Sequence, residues 1–160
     1  MAEHSFRTAM IGYTLAQIDG HVDVARVIQL CLFHDIPEAR TGDLNYVNKK
    51  YVKVDEMKAV DDLAGQLPFG DDYRQTLVEF NAKETSEALI ANDADQLEMI
   101  LALKEHKDLG NRNADEWFPF SIERLKTDAA RQLAASIWST DSSKWWFDDD
   151  RDWWIKGSSE

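Results

Sequence analysis

The chain has 160 residues, of which 44% are hydrophobic and 30% are charged. This length and composition predict one globular domain with its own apolar core. Thirty acidic residues against 18 basic ones give a formal charge of −12, which excludes a nucleic-acid polymer or an anionic membrane as a partner over most of the surface. An anionic substrate must therefore be small and must meet a local positive charge.

The sequence also predicts a cytoplasmic location. No stretch approaches the roughly 18 consecutive apolar residues of a membrane helix, and the N-terminus lacks the basic-then-apolar order of a signal peptide. The single cysteine, Cys31, lies in an apolar run and cannot form an internal disulfide. We expect it to be a buried thiol in a reducing compartment.

Hydrophobic periodicity predicts helices in the first half of the chain. A first helix ends at the turn signal Asp19-Gly20, and residues at three- and four-residue steps define one face of it, namely Phe6, Ala9, Met10, Tyr13, Ala16 and Gln17. Asp23 can cap a second helix that leads into His34 and Asp35. Pro37 can open a short helical turn, and Thr41-Gly42-Asp43 is typical of a tight turn.

The second half of the chain continues the helical pattern. A third helix is predicted over 52–67 and a short one over 72–80, followed by a long helix that Thr85 caps and that runs through His106. A last helix is predicted from Ser121 to Trp138. Because strand alternation and internal repeats are absent, the sequence predicts an all-α bundle of about six helices over residues 1–138.

Residues 139–160 differ from the rest and form an acidic, tryptophan-rich tail. Four of the six tryptophans lie here, at positions 145, 146, 153 and 154. This is much apolar surface to leave in water, so we expect the tail to pack on the domain or against a second subunit. The alternative is a partly disordered chain end.

Two of the four histidines stand out because of their neighbours. His34 ends an apolar helix and is followed at once by Asp35, an arrangement that is unfavourable at a core edge unless a cation compensates it. His4 begins the first helix, and Asp95 lies on the core-facing side of the long helix. Imidazole and carboxylate together suit manganese, cobalt, iron, zinc or nickel, or magnesium where water fills more positions.

These residues belong to motifs that follow one another in a recognisable order. The motifs are Ala2-Glu3-His4-Ser5, His34-Asp35-Ile36-Pro37-Glu38, Thr41-Gly42-Asp43-Leu44 and Asp95-Gln96-Leu97-Glu98-Met99-Ile100-Leu101. Together they resemble the HD-domain phosphohydrolases, specifically the 5′-deoxynucleotidase branch, over residues 2–138. The resemblance implies an HD-domain fold and a metal-dependent conversion of deoxynucleoside 5′-monophosphates to deoxynucleoside and phosphate.

The resemblance also implies a role for each motif residue. One divalent cation would be held by His4, His34, Asp35 and Asp95, with Asp93 as the competing candidate on the long helix. A step of two residues turns a side chain by roughly 200° around the helix axis, so Asp93 and Asp95 must lie on different faces of the long helix. The resemblance further implies a homodimer.

The loop after His34 is expected to supply catalysis and substrate binding. By the resemblance, Glu38 is an acid/base group or a second metal contact, Asp43 shares the proton transfer, and substrate contacts come from Asp43, Leu44, Asn45 and Tyr46. The alternatives are an ordinary solvated acid at Glu38 and a turn-stabilising side chain at Asp43.

Three hypotheses about function follow. The first is the 5′-deoxynucleotidase, and the second is an HD hydrolase of another phosphate ester, such as an alarmone or a cyclic nucleotide. The third is a catalytically silent helical module that binds a nucleotide or a protein. Relatives usually carry a further helix before the first histidine, which this chain is expected to lack, and Arg7 or Arg40 are candidates to replace the phosphate-orienting arginine of that helix.

Overall fold

The computed structural model describes residues 2–144, and all regular structure in that range is helical. The elements are α1 (Ala2–Asp19), α2 (Val24–Phe33), α3 (Glu38–Thr41), a 3₁₀ turn (Asn48–Lys50), α4 (Glu56–Ala64), α5 (Gly70–Ala82), α6 (Ser86–Asp108), α7 (Ala114–Glu123) and α8 (Asp128–Ser139). The all-α prediction is confirmed. Within this part of the chain, none of the helices is long and apolar enough to cross a membrane. The prediction about the tryptophan-rich tail lies largely outside the described residues.

Side-chain caps begin several helices, and for α2 and α6 they do so where the sequence predicts it. The carboxylate of Asp23 accepts hydrogen bonds from the first turn of α2, and the hydroxyl of Thr85 accepts one from the first turn of α6. Thr127 caps α8 in the same way. Because each cap satisfies a backbone N–H that the helix leaves unpaired, these residues determine where the helices start.

The core lies where α1, α2 and α6 pack together, and Gly12 sets how closely they approach. A Cβ atom at Gly12 would lie 2.6 Å from the sulfur of Cys31 on α2 and 3.6 Å from the Cβ of Ala94 on α6. Cys31 is a buried free thiol, as predicted. Glycine at this position therefore allows α1 to contact both neighbouring helices at once.

The predicted face of the first helix is wrong for its large residues. Phe6, Met10 and Tyr13 point into solvent, whereas the buried positions of α1 are Thr8, Gly12, Leu15 and Ala16. Three of the four buried positions, Thr8, Gly12 and Ala16, carry small side chains that allow α1 to approach α2 and α6 closely, and Leu15 fills the core beside them. Hydrophobic periodicity alone does not distinguish these two faces.

The predicted last helix is also wrong at its start. Residues 121–123 end α7, and α8 begins at Asp128, with the cap residue Thr127 between them. The third predicted helix is shorter than expected, because Asp55 caps it and residues 52–54 are not helical. The predicted helix over 72–80 is longer at both ends, as α5 shows.

We predict that Gly12→Val destabilises the fold by roughly 1–3 kcal/mol, because the added methyl groups must displace Cys31 and Val27 in a close-packed core. The matched control is Gly65→Val, since Gly65 is exposed, has φ of −60° and would place its Cβ no closer than 3.5 Å to another atom. The control is expected to change stability by less than about 0.5 kcal/mol. Urea unfolding measures both, and equal effects would contradict the close-contact explanation.

Candidate metal centre and adjoining cleft

Four side chains from three parts of the chain converge at one point. His4 comes from the first turn of α1, His34 and Asp35 follow the end of α2, and Asp95 comes from the middle of α6. Nε2 of His4 lies 3.4 Å from Nε2 of His34, 3.2 Å from a carboxylate oxygen of Asp35 and 3.5 Å from one of Asp95. Donor atoms of His4, His34 and Asp35 all lie within 4.8 Å of one another.

Hydrogen bonds on the far side of each imidazole ring determine which nitrogen faces this point. Nδ1–H of His34 donates to the backbone carbonyl of Cys31 over 2.8 Å. Nδ1–H of His4 donates to the carboxylate of Glu98, also over 2.8 Å. Because both Nδ1 atoms are engaged, both histidines present Nε2 to the centre, as metal-ligating imidazoles commonly do.

The centre is negatively charged and stabilises added positive charge. Hydrogen bonds to Asp35 and then Glu98 raise the pKa of His4 from 6.5 to about 10. Burial lowers the pKa of His34, but Asp95 and Asp35 outweigh burial and leave that pKa raised. Burial likewise acts to raise the pKa of Asp95, and the hydrogen bond to His34 outweighs it, so the pKa falls. The acidic neighbours therefore favour a positive charge at this point of the structure.

The donor set fits a divalent cation. Two imidazole nitrogens with free lone pairs and two carboxylates form a mixed nitrogen and oxygen set that suits first-row transition metals. The cluster is open on one side, because His4, Asp35 and Asp95 also line a cleft and leave room there for other ligands. A closed structural site would have no such opening.

The cleft beside the cluster has a volume of about 680 Å³, a size typical of small-molecule sites. The residues that the sequence singled out for catalysis and for the substrate loop line it, namely Glu38, Asp43, Leu44, Asn45 and Tyr46, whereas the candidate arginines Arg7 and Arg40 are not among the described residues that do. Burial, followed by the charges of Asp35 and Asp43, raises the pKa of Glu38. The structure thus brings these residues and the cluster to one cavity.

One side of the cleft is aromatic. Tyr46 and Trp117 both line it. The guanidinium of Arg124 lies 4.5 Å from the centre of the Tyr46 ring and donates a hydrogen bond to the Tyr46 hydroxyl. Arg124 follows directly after α7, so this contact holds the loop after α3 against the end of α7.

Asp93 lies on the other side of α6 and has a different role. Its fully buried carboxylate accepts hydrogen bonds from the backbone N–H groups of Lys126 and Thr127 and from the Thr127 hydroxyl, over 2.7–2.8 Å. These bonds attach the start of α8 to α6. Asp93 is therefore occupied away from the histidine cluster, whereas Asp95 contacts both histidines.

Sequence reasoning missed several residues of this region. Glu98, which holds His4, is three residues after Asp95 and so lies on nearly the same face of α6, a spacing that could have indicated it. Lys49 and Trp117 line the cleft but belong to segments that carry no motif. Arg7, a candidate for phosphate binding, instead forms an ion pair with Glu98 and donates a hydrogen bond to Glu105.

Comparison with known proteins identifies the class of protein. The HD-domain family matches residues 1–138, and the chain belongs to this family. A 5′-deoxynucleotidase of Vibrio vulnificus is 33% identical over 147 residues, which cover 82% of this chain and 73% of the relative. The 5′-deoxynucleotidase YfbR of Salmonella paratyphi B is 31% identical over 151 residues, which cover 85% of this chain and 72% of the relative.

Solved structures agree with the family assignment. A conserved hypothetical protein from Pyrococcus furiosus has a TM-score of 0.72 and 28% identity, over 85% of this chain and 81% of that one. A predicted metal-dependent phosphohydrolase from Magnetospirillum magnetotacticum has a TM-score of 0.64 and 28% identity, over 85% of this chain and 74% of that one. Together with the donor cluster, these relatives support a divalent metal as the cofactor of this protein.

We predict opposite outcomes for Asp93→Asn and Asp95→Asn, two residues apart on the same helix. Asp93→Asn leaves a buried N–H without an acceptor and is expected to lower the free energy of unfolding by roughly 1–3 kcal/mol while metal content stays unchanged. Asp95→Asn is expected to lower metal content with a smaller loss of stability. Metal per chain by plasma mass spectrometry, and urea unfolding of the metal-free proteins, measure the two effects. Loss of metal from Asp93→Asn in the folded state would contradict this assignment.

Proposed function

We propose that the protein is a metal-dependent 5′-deoxynucleotidase that hydrolyses deoxynucleoside 5′-monophosphates to deoxynucleoside and phosphate. The observation that carries the proposal is the convergence of His4, His34, Asp35 and Asp95 at the wall of a cleft that also contains Glu38 and Asp43. The family assignment and the names of the relatives support the same reaction and the deoxynucleotide substrate.

In this proposal, His4, His34, Asp35 and Asp95 hold the divalent cation, which supplies positive charge for the phosphoryl oxygens and increases the acidity of water. The two histidines can do so only as neutral imidazoles, and their Nδ1 hydrogen bonds fix the tautomer that this requires. Asp35 and Asp95 contribute the negative charge that balances the cation.

Glu38 and Asp43 are proposed to move the protons of the reaction. Water adds to phosphorus, the bond from phosphorus to the 5′-oxygen breaks, and the leaving oxygen must gain a proton as the water loses one. The raised pKa of Glu38 favours its protonated form at higher pH than an ordinary glutamate and suits it to donate to the 5′-oxygen. Asp43, which lines the same cleft, is then the group that accepts the proton of the attacking water.

Lys49 is the proposed protein contact of the phosphate. Among the described residues that line the cleft, it is the only lysine or arginine. Its ammonium group is close enough to Glu38 to act against the rise in the pKa of that carboxyl group. A lysine here compensates part of the repulsion that the acidic cleft exerts on an anionic substrate.

Two further parts of the proposal concern the protein as a whole. A cytoplasmic location fits nucleotide hydrolysis and stays a prediction. A homodimer also stays a prediction, supported by the apolar stripe of Phe6, Met10 and Tyr13 that α1 exposes to solvent.

The test is phosphate release from dAMP, dGMP and dTMP by metal-loaded protein. We expect release that a chelator abolishes and that falls to background in His34→Ala, because this variant removes a central nitrogen donor. The matched control is His106→Ala, since His106 is exposed and lies near the end of α6.

The substrate panel also separates this function from its main alternative. It includes a cyclic nucleotide and a guanosine alarmone beside the monophosphates. Hydrolysis of the cyclic nucleotide gives a nucleoside monophosphate and that of the alarmone gives pyrophosphate, so chromatography follows these products beside the phosphate assay. Hydrolysis of these esters alone would replace the proposed substrate with another phosphate ester. A purified, metal-loaded protein that releases phosphate from no monophosphate would overturn the proposal.

A further inference from the structure

Trp117 is a large aromatic side chain exposed within the cleft. Its residue surface is 53% exposed, although it lies beside residues that could bind a ligand. The neighbouring aromatic residue Phe118 is used differently, because it stacks on Trp138 with ring centres 3.8 Å apart and nearly parallel planes. Core packing therefore accounts for Phe118 but not for Trp117.

The lining of the cleft combines two chemical characters. One part consists of the acids and imidazole described above, and the other contains Tyr46, Trp117 and Met99. Met99 follows Asp95 by four residues on α6, so the apolar part begins about 6 Å along the helix from the cluster. Because the cluster and the aromatic side chains line the same cleft, one ligand can contact the cluster with its phosphate and the aromatic part with its other end.

Tyr46 is held in place before any ligand arrives. Arg124 covers one face of its ring and bonds its hydroxyl group, which joins the loop after α3 to the helix that carries Trp117. The Tyr46 ring is thus held against the end of α7, and such preorganisation of one aromatic side chain lowers the entropy lost on binding.

We propose that Trp117, with Tyr46 beside it, is the stacking surface for the nucleobase of the substrate. This inference rests on the proposed function and adds the group that recognises the base. A flat π-face binds every base without reading its edge, and a purine offers a larger face than a pyrimidine. We therefore expect broad base tolerance with tighter binding of purine nucleotides.

The test compares dAMP with deoxyribose 5-phosphate, which has the same phosphate ester but no base. In the wild type, KM for deoxyribose 5-phosphate should exceed KM for dAMP, and in Trp117→Ala the ratio of the two KM values should fall about tenfold. Trp117→Phe retains an aromatic ring and should keep most of the difference between the two KM values. The matched control is Phe120→Ala on the same helix, since Phe120 is 66% exposed but is not one of the described residues that line the cleft.

The outcomes separate this inference from the proposed function. A Trp117→Ala variant that keeps the wild-type ratio would overturn the stacking role, and so would one that weakens both substrates equally. A wild type that releases phosphate from neither compound would overturn the proposed function first. Circular dichroism of each variant identifies any loss of fold. If Trp117→Ala is unfolded, Trp117→Leu decides the matter, because it keeps an apolar side chain without a ring and should also lower the ratio of the two KM values, whereas a wild-type ratio in this variant would overturn the stacking role.

A separate observation concerns Glu98, which contacts His4 from behind. The Glu98 side chain is only 12% exposed. One of its oxygens accepts the Nδ1–H of His4 over 2.8 Å, and the other lies 3.2 Å from Nε of Arg7. A carboxylate held at both oxygens can fix the angle of the ring that it contacts.

The geometry points to Glu98 as the positioning residue for His4 in the metal centre. It would orient Nε2 toward the cation and maintain the tautomer that binds it, with Arg7 holding Glu98 in turn. The inference rests on His4 being a ligand, as the proposed function requires. It concerns metal affinity, so its test needs no turnover.

We expect Glu98→Ala to weaken binding of Co²⁺ to the metal-free protein by about 10–100-fold, measured by calorimetry. Glu98→Gln should weaken Co²⁺ binding less than Glu98→Ala does, because the amide oxygen of glutamine can still accept the Nδ1–H of His4. The visible absorption spectrum of bound Co²⁺ should change in Glu98→Ala, since the spectrum reports the ligand nitrogens and a general loss of stability would not alter it.

The matched control is Glu105→Gln. Glu105 also lies 3.2 Å from Arg7, but it is 52% exposed and none of its described contacts is with a histidine. Its Co²⁺ affinity should stay within about twofold of wild type. Wild-type affinity and spectrum in Glu98→Ala would overturn the positioning role, whereas a wild type that binds no Co²⁺ would overturn the proposed metal centre itself. If Glu98→Ala does not fold, unchanged affinity together with an unchanged spectrum in Glu98→Gln and in Arg7→Ala would overturn the role.

Discussion

The close approach of α1 to α2 and α6 is the constraint on which the candidate site depends. His4 meets the other donors only because the backbone of α1 can lie against both helices at Gly12. Thr8 and Ala16 continue this narrow face one turn on either side. Small residues inside the bundle thus decide the position of a polar group at its edge, while Phe6, Met10 and Tyr13 of α1 face solvent. The contact of α1 with α2 and α6 therefore both fills the core and places His4 among the other proposed metal ligands.

Charge is the second requirement of the site, and it acts in two directions. The clustered carboxylates favour positive charge on or between the imidazoles, as the raised pKa of His4 reflects. The same carboxylates repel an anionic ester, and the net charge of −12 adds to the repulsion at long range. A bound cation and Lys49 reverse the sign locally, so the proposed substrate is attracted to one place on an otherwise unfavourable surface.

The sequence predicted the features that local rules determine. Asp23 and Thr85 were recognisable as caps because a helix start needs an acceptor side chain, and the helical class followed from periodicity. The break before α8 was missed, although Thr127 is itself a capping residue, because the apolar stripe appeared to continue across it. It is Asp93, distant in sequence, that holds this break in place.

The candidate site likewise contains some residues that local motifs indicate and others that only tertiary packing brings there. The resemblance supplied the motif residues, whereas Trp117 reaches the cleft only through the packing of α7, which no local pattern records. A contact between residues far apart in sequence has no signature in either segment alone. Glu98 is intermediate, because its spacing from Asp95 places it near the cluster but does not reveal that His4 is its partner.

The two histidines are held by different kinds of group, and this has an evolutionary consequence. The acceptor for His34 is the main-chain carbonyl of Cys31, which no amino-acid substitution can remove. The acceptor for His4 is a side chain, which a single base change in a codon can alter. The acceptor of His34 is therefore kept for as long as the helix forms, whereas a substitution can remove the acceptor of His4. A substitution at position 98 would therefore change how His4 is held while all four proposed ligands are kept.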